Sequence, residues 1–282
     1  MSASLYAPKK LPPSPGPSGL RVATWNINSV RLRIKLVARL AAAADPDVIC
    51  LQETKTIDDL FPKKAIAKLG YVHQAFHGIK GYNGVAIVSR RPFENDGRLN
   101  WCGKQDARHA HVRLAGGIEV HSVYIPSGGD LPDPKVNAKF RHKLDFVREQ
   151  AAWWAKQPRD DARRIVVGDF NIAPLETDVW SHKQLLDVVS HTPVEVDLLN
   201  KLQAAHHWVD AVRHFAPEPA RVYTWWSYRN QDWRASDRGR RLDHIWVTPA
   251  LAPKLRAAYI LKNARDWPGP SDHVPVVVDL AG

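Results

Sequence analysis

Residues 163–174 read RRIVVGDFNIAP. An unbroken β-branched run, 165–167, meets Gly168 and is followed at once by Asp169 and, two residues on, by Asn171. A short apolar run bounded by turn residues has the signature of a buried strand. A strand that leaves the core on a carboxylate and an amide raises the question of what those groups serve. The same pattern recurs along the chain. RVATWNI (21–27) closes on Asn26, with Asn28 just beyond. DVICLQETK (47–55) closes on Glu53, and HSVYIPSGG (121–129) carries Tyr124. RLDHIWV (241–247) holds Asp243, and SDHVPVVV (271–278) opens with Asp272 and His273. One polar residue at a strand end is ordinary, because Asp and Asn are loop formers. Six strands with the same feature predict that their ends converge.

Working outward, further strands are expected in GVAIVSR (84–90) and in HVRLAGGIEVHSVYI (111–125), where residues 115–117 read as a hairpin turn. RLRIKLVARLAAAA (31–44) puts Leu32, Leu36 and Leu40 at i, i+4 and i+8, one stripe of a helix that Asp45-Pro46 stops. Long helices are expected over 139–156, with Trp153 and Trp154 packing it onto the sheets, and over 195–215. No repeat and no internal linker divides the chain. The expectation is one catalytic domain over 21–282, preceded by a disordered Pro- and Ser-rich tail over 1–20. The fold class expected is α/β (α+β): two mixed β-sheets packed face to face with helices outside.

The bulk properties narrow the function. The 282 residues carry a formal charge of +11 and an isoelectric point near 9.7. Such an excess attracts polyanions, nucleic acid first among them, the alternative being a basic protein without such a partner. Two cysteines, Cys50 and Cys102, make neither a disulfide framework nor a zinc cluster, and Cys50 reads as a core residue. No apolar run reaches the roughly 18 residues of a membrane span. The N-terminal residues lack the apolar segment of a signal peptide, so a cytoplasmic location is expected.

If the strand ends converge, they gather Asn26, Asn28, Glu53, Tyr124, Asp169, Asn171, Asp243, Asp272 and His273. The candidate ligands offer oxygen, with little imidazole and no thiolate, which suits Mg²⁺, or Mn²⁺ in its place, rather than zinc. Four carboxylates packed together would repel without a cation. A metal beside a phosphate acts as a Lewis acid, and an Asp or His near neutrality can take a proton from water. Basic surface, hard cation and general base together indicate phosphodiester hydrolysis.

TWNIN, LQETK, YNGVAIVSR, GDFNIAP, YTWWSYR, RRLDHI and PSDHVPV follow one another in an order that resembles the exonuclease III-like apurinic/apyrimidinic endonucleases of the endonuclease/exonuclease/phosphatase superfamily. The resemblance runs from about Arg21 onward and implies a four-layered α/β sandwich. It implies a DNA repair nuclease that cuts 5′ to abasic sites or works at 3′ ends of duplex DNA, using one or two ions, and most simply as a monomer. Asn26 and Glu53 would hold the principal metal with Asp272 close by, and Asp169 with Asn171 would frame a second position. Asp169 would move the proton and Asn171 would hydrogen-bond the phosphate or the water. Tyr124 would contact the phosphate, and Asp243 would orient His273, either as a donor to that phosphate or as the general base.

The same resemblance places Trp225 and Leu242 as walls of a sugar pocket, the alternative being aromatic core packing. Extruding a nucleotide before cutting beside it requires such a pocket. Arg229, Arg234, Arg238, Arg240 and Arg241 form a basic loop for phosphate contact, or a solvated charged loop, and Arg108 is a further candidate DNA contact. Arg240 departs from the apolar residue that several relatives carry at the pocket rim. Trp180 or His182 is expected to restrict the entrance. The remaining histidines, among them His109, His111, His121, His206, His207 and His244, are expected in the core or on the surface. Two other readings stay open: a superfamily phosphoesterase acting on a phosphoinositide or sphingolipid, and a catalytically silent DNA-binding relative.

Overall fold

The computed structural model describes residues 5–7, 10–159 and 161–282. Its strands are β1 (Leu20–Asn26), β2 (Val48–Gln52), β3 (His73–His77), β4 (Val85–Ser89), β5 (Phe93–Gly97), β6 (His109–Leu114), β7 (Glu119–Tyr124), β8 (Arg164–Asp169), β9 (Val209–Asp210), β10 (Asp243–Val247), β11 (Leu255–Ile260) and β12 (Val276–Leu280). The helices are α1 (Ile34–Ala44), α2 (Lys63–Ala67), α3 (Ala138–Ala155), α4 (His182–Leu185), α5 (Pro193–Ala205), α6 (Ala211–Phe215) and α7 (Trp233–Ser236).

The strands form two six-stranded sheets, in the orders β11-β12-β1-β2-β4-β3 and β5-β6-β7-β8-β10-β9. Both are mixed. β1 runs parallel to β2 and β7 parallel to β8, and the other ladders are antiparallel. The parallel pairs pack face to face, β1 and β2 against β7 and β8. This topology positions the site. Parallel neighbours end at the same edge, and an antiparallel neighbour starts there. The last residues of β1, β7 and β8 therefore share one rim with the first residue of β10 and the segment entering β12.

Alternation does the rest, since successive side chains leave a strand on opposite faces. On β8, Ile165 and Val167 join the core between the sheets, whereas Val166 and Phe170 pack with α3 and α5 on the outer side. That parity turns Asp169 inward. On β10, Ile245 and Val247 face inward and Trp246 outward, so Asp243 also faces in. A polar tie crosses the interior: Gln52 Nε2 donates to Ser122 Oγ at 3.0 Å and to Thr24 Oγ1 at 3.1 Å. Buried and paired, it fixes the sheet-to-sheet register without an unsatisfied group.

Some expectations are corrected. The helix of 31–44 begins only at Ile34, and Leu32 stands exposed outside the stripe formed by Leu36, Val37 and Leu40. The region 195–215 is two helices, α5 and α6, interrupted by β9, which adds an edge strand to β10. The described part of the supposed disordered tail is packed on the domain. Tyr6 bridges Ile260, Leu11 is buried and donates its N–H to Ala43, and the buried Arg21 donates to the carbonyls of Pro12 and Pro13. Its guanidinium is fixed by Asp279, which accepts from Nε at 2.6 Å and from Nη2 at 2.7 Å. Residues 1–4 and 8–9 of that stretch lie outside the described residues. The turn at 115–117 joins β6 to β7 as expected.

Gly168 sits between Val123 on β7 and His244 on β10 with φ +143°. A Cβ there would lie 1.9 Å from the Val123 carbonyl oxygen, a backbone atom that cannot move without breaking the ladder. Gly168→Ala is expected to lower unfolding free energy by about 2–4 kcal/mol. Urea denaturation checks this, and a midpoint like that of the unsubstituted protein would show the ladder more pliable than the register implies.

Candidate active site

The convergent strand ends form the floor of a cleft of about 820 Å³, lined by Glu53, Tyr124, Asp169, Asn171, Asp272 and His273 on one side and by Trp180, Trp225, Arg229, Arg238, Arg240 and Leu242 on the other. Asn26 is fully buried beneath it and joins two carboxylates through one amide: Nδ2 donates to Glu53 Oε1 at 3.0 Å and to Asp169 Oδ2 at 2.8 Å. Several of these residues turn into position through left-handed backbone: Asn28 (φ +47°), Glu53 (+50°), Lys55 (+51°) and Asn171 (+54°). Such conformations are uncommon outside glycine and carry strain of order 1 kcal/mol or more, which surrounding structure must hold. Here it is held by backbone bonds from Ser29 to Glu53 and from Lys55 to Asn83.

The centre of the site is a carboxylate–imidazole pair. Asp243 Oδ2 accepts from His273 Nδ1 at 2.8 Å and from the Thr224 hydroxyl at 2.6 Å, and both members of the pair are buried. Burial alone would lower the His273 pKa, but Asp243 and Asp169 outweigh it and raise it to about 10. His273 is thus an imidazolium at neutral pH, its Nδ1–H spent on Asp243. Its Nε2 lies 3.6 Å from Asp169 Oδ2. Asp169 behaves the opposite way to most carboxylates. Burial, reinforced by Asp243 and Glu53, outweighs His273 and Asn26 and lifts its pKa to about 7. A carboxyl poised near neutrality can accept and return a proton. Glu53 is held below the ordinary range: burial pushes it up, but Asn26, Lys55 and His273 prevail.

The structure assigns the expected residues unequally. Asn171 Nδ2 donates to the Ile125 carbonyl at 2.9 Å and to Asp169 Oδ2 at 3.1 Å, which uses both of its N–H groups. It therefore orients Asp169 and has no donor left for a phosphate in this state. Tyr124 donates its hydroxyl to Glu53 Oε1 at 2.8 Å. Asp272 accepts from Trp225 Nε1 at 2.9 Å and from Asn28 Nδ2 at 3.3 Å, so the floor and the aromatic wall are tied together. Arg108 is paired with Asp106 and lies 4.9 Å over the Tyr124 ring, placing it behind the site rather than free in the cleft. Trp180 lines the cleft, whereas His182 turns away to His191 at 2.8 Å.

Four further residues take part in the site, Ser271 among them as the loop hydrogen-bonder its position before Asp272 suggests. Lys55 contacts Glu53 Oε2 at 2.7 Å and Asn28 Oδ1 at 2.6 Å. Thr224 steadies Asp243, and Ser271 links Asn26 O to the His273 N–H. Lys143 on α3, wholly buried against Glu195, donates to the Asn171 carbonyl at 2.8 Å. Lys55 and Ser271 stood inside the quoted motifs. Nothing local marks Lys143 among the other charges of its helix.

Asp169, Asp243 and His273 each offer a ligand atom within 4.8 Å of the others, and so do His109, His111 and His121 on β6 and β7. In the second group His109 and His121 form a hydrogen-bonded pair in the core, and the partly buried His111 stacks on His121 with ring centroids 5.0 Å apart. The Leu99 N–H donates to His109 Nδ1 at 3.0 Å, which leaves the proton on Nε2, and Nε2 faces His121 Nδ1 at 3.0 Å.

The sequence profile of the endonuclease/exonuclease/phosphatase family matches residues 23–273, ending on the histidine of the central pair. The chain belongs to this family. It is 28% identical over 275 residues to an exodeoxyribonuclease III of Haemophilus influenzae, covering 91% of this chain and 98% of that relative. An AP endonuclease from Archaeoglobus fulgidus superposes with a TM-score of 0.85 at 31% identity, over 92% of this chain and 98% of that one. The 3′-5′ exonuclease NExo from Neisseria meningitidis superposes with a TM-score of 0.85 at 30% identity, over 93% and 100%. Another structure of NExo, described as a 3′ phosphatase, is bound to a product DNA hairpin. The protein is a hydrolase of the exonuclease III and AP endonuclease type, with the two mixed sheets and outer helices of that fold.

The central pair yields a direct test. In a protein labelled at histidine, the His273 imidazole should stay protonated as pH rises until about 10, and Asp243→Asn should move that titration down towards the ordinary value near 6.5. An unsubstituted His273 that titrates near 6.5 by NMR would refute the charge assignment.

Proposed function

We propose that the protein is a Mg²⁺-dependent DNA repair nuclease acting on duplex DNA, at 3′ ends and 5′ to abasic sites. The observation that carries this reading is the placement of a near-neutral Asp169 against the Asp243–His273 imidazolium at the floor of a cleft rimmed by arginine and tryptophan. A phosphate seated above the floor meets His273 Nε2–H as a donor. Asp169, oriented by Asn26 and Asn171, takes one proton from an attacking water. The bond from phosphorus to the upstream 3′-oxygen breaks, the water oxygen stays on phosphorus, and the proton held by Asp169 passes to the departing 3′-oxygen.

The donor set also fits a hard cation. Its groups are oxygens, Asp243 Oδ1 is buried without a hydrogen-bond partner among the described residues, and burial, with crowding by Asp243 and Glu53, raises Asp169. Lys55 already brings one ammonium to Glu53. Glu53, with Asn26 and Asp272, would hold Mg²⁺, or Mn²⁺ as a substitute, and Asp169 and Asn171 would serve any second ion. The cation would supply Lewis-acid polarisation of the phosphate. On the aromatic wall, Leu242 and the part of Trp225 that Arg240 leaves uncovered present an apolar surface on which an extruded sugar could rest.

The test uses end-labelled duplexes, one with a central abasic analogue and one with a 3′-phosphate, in Mg²⁺ and in EDTA. Product is expected only with the metal, and Asp169→Asn should lower turnover by about 10²–10⁴-fold. Product undiminished in EDTA, or none from either duplex, would refute the proposal.

Trp180 narrows the cleft on its apolar side, with the Arg238 guanidinium 4.7 Å over its ring. We expect Trp180→Ala to raise the ratio of internal to terminal cleavage. An unchanged ratio would remove Trp180 as the gate.

A further inference from the structure

Arg240 is the most unusual charge in the cleft. Arg229 and Arg238 reach the rim from exposed positions, but Arg240 is largely withdrawn from water, and among the described residues it takes part in no ion pair. Its Nη1 is fixed by two neutral acceptors, the Val189 carbonyl at 2.9 Å and Ser190 Oγ at 2.7 Å. Nε is buried with no hydrogen-bond partner, and no hydrogen bond is made by Nη2. The guanidinium lies 5.3 Å over the ring of Trp225, whose backbone bridges Arg240 on one side and His273 on the other. Burial lowers its pKa, opposed only by the field of Glu195, which is itself committed to Lys143.

A half-buried cation without a counter-ion is costly to maintain, and anchoring it in one rotamer adds lost side-chain entropy. With Nη1 held and Nε enclosed, Nη2 is the open donor of a cation that suits an oxyanion. His273 meets the scissile phosphate from the other side of Trp225, so the group that Arg240 suits is a second anion, carried one unit beyond the scissile phosphate. We propose that Arg240 selects substrates whose scissile phosphate bears a short anionic substituent on the side away from the DNA 3′-oxygen. That substituent would be either the carboxylate of a sugar fragment left at a 3′ end or the next phosphate of an unbroken strand. Arg240 thus acts as a specificity residue at the aromatic wall, where it takes the face of Trp225 that a neutral sugar would otherwise cover. This inference rests on the reading of the protein as a nuclease acting beside 3′-oxygens.

The test compares duplexes that end in a 3′-phosphoglycolate, which carries a carboxylate, with duplexes that end in the 3′-phospho-2-hydroxyethyl ester, which is neutral and of similar length. A third duplex carries an internal abasic analogue, where the added anion is a phosphate. In the unsubstituted enzyme kcat/KM is expected to favour the glycolate end by tenfold or more. Arg240→Gln keeps a donor for Val189 and should bring that ratio close to one, while Arg240→Lys should retain part of it. A parallel fall on the internal duplex assigns the next phosphate as a further ligand, and its absence confines the site to carboxylate ends. A ratio that is near one in the unsubstituted enzyme, or that Arg240→Gln leaves unchanged, overturns the proposal. Binding of the two ends, followed by fluorescence anisotropy in EDTA, gives the same ratio without turnover. Failure to cleave any duplex would therefore refute the nuclease reading, while the anion preference is still decided by the binding ratio.

Discussion

The rest of the structure depends on one contact, Asp243 Oδ2 to His273 Nδ1 at 2.8 Å. Asp243 heads β10 in one sheet, and His273 leads into β12 in the other. A carboxylate and an imidazolium taken out of water are each unfavourable alone, and removal of one partner leaves the other uncompensated. The pair therefore ties the correct packing of two sheets to the correct charge state of the site. Its consequence reaches one residue further, because with Nδ1 occupied the His273 ring presents Nε2 to Asp169 and to anything bound above it.

Around this contact the protein concentrates features that a stability-optimised fold would avoid. Left-handed backbone at Asn28, Glu53, Lys55 and Asn171, two buried carboxyls at Asp169 and Asp243 with the partly buried Glu53 beside them, and a wholly buried Lys143–Glu195 pair all lie within or directly behind the cleft. Each is held by neighbours rather than by local preference. Asn26 divides its amide between Glu53 and Asp169, and Lys143 holds the carbonyl of Asn171 from the far side. Rigid placement of this kind lets a hydrolase align water and phosphate without reorganising at the moment of reaction.

The charge distribution repeats the division of the cleft. The floor is acidic, with Glu53, Asp169 and Asp272, and the opposite rim is basic, with Arg229, Arg238 and Arg240. A polyanion is drawn by the rim and by the overall charge of +11. At the floor it meets carboxylates that only a bound cation or protonation can reconcile with a phosphate. Attraction and chemistry are thus supplied by different walls.

The sequence by itself determined the strands that carry the site, though not β3, β5, β9 or β11, together with the turn at 115–117 and the polar residues at the strand ends, because alternation, β-branching and turn propensity act over a few residues. It also carried the motifs that make family membership plain. The convergence of those ends required the parallel pairing of β1 with β2 and β7 with β8, which joins residues far apart in the chain. Only the tertiary structure decided which partner each polar group takes. Asn171 turns its amide to Asp169, Arg108 is spent on Asp106, and the 195–215 region breaks to let β9 join the sheet. Lys55 and Thr224 stand inside quoted motifs that do not say what they bind, Lys143 enters the site although no local pattern marks it, and Arg240 is left without an anion. Hydrogen bonds and ion pairs depend on distances of a few tenths of an ångström between distant segments, and those distances exist only once the two sheets have packed.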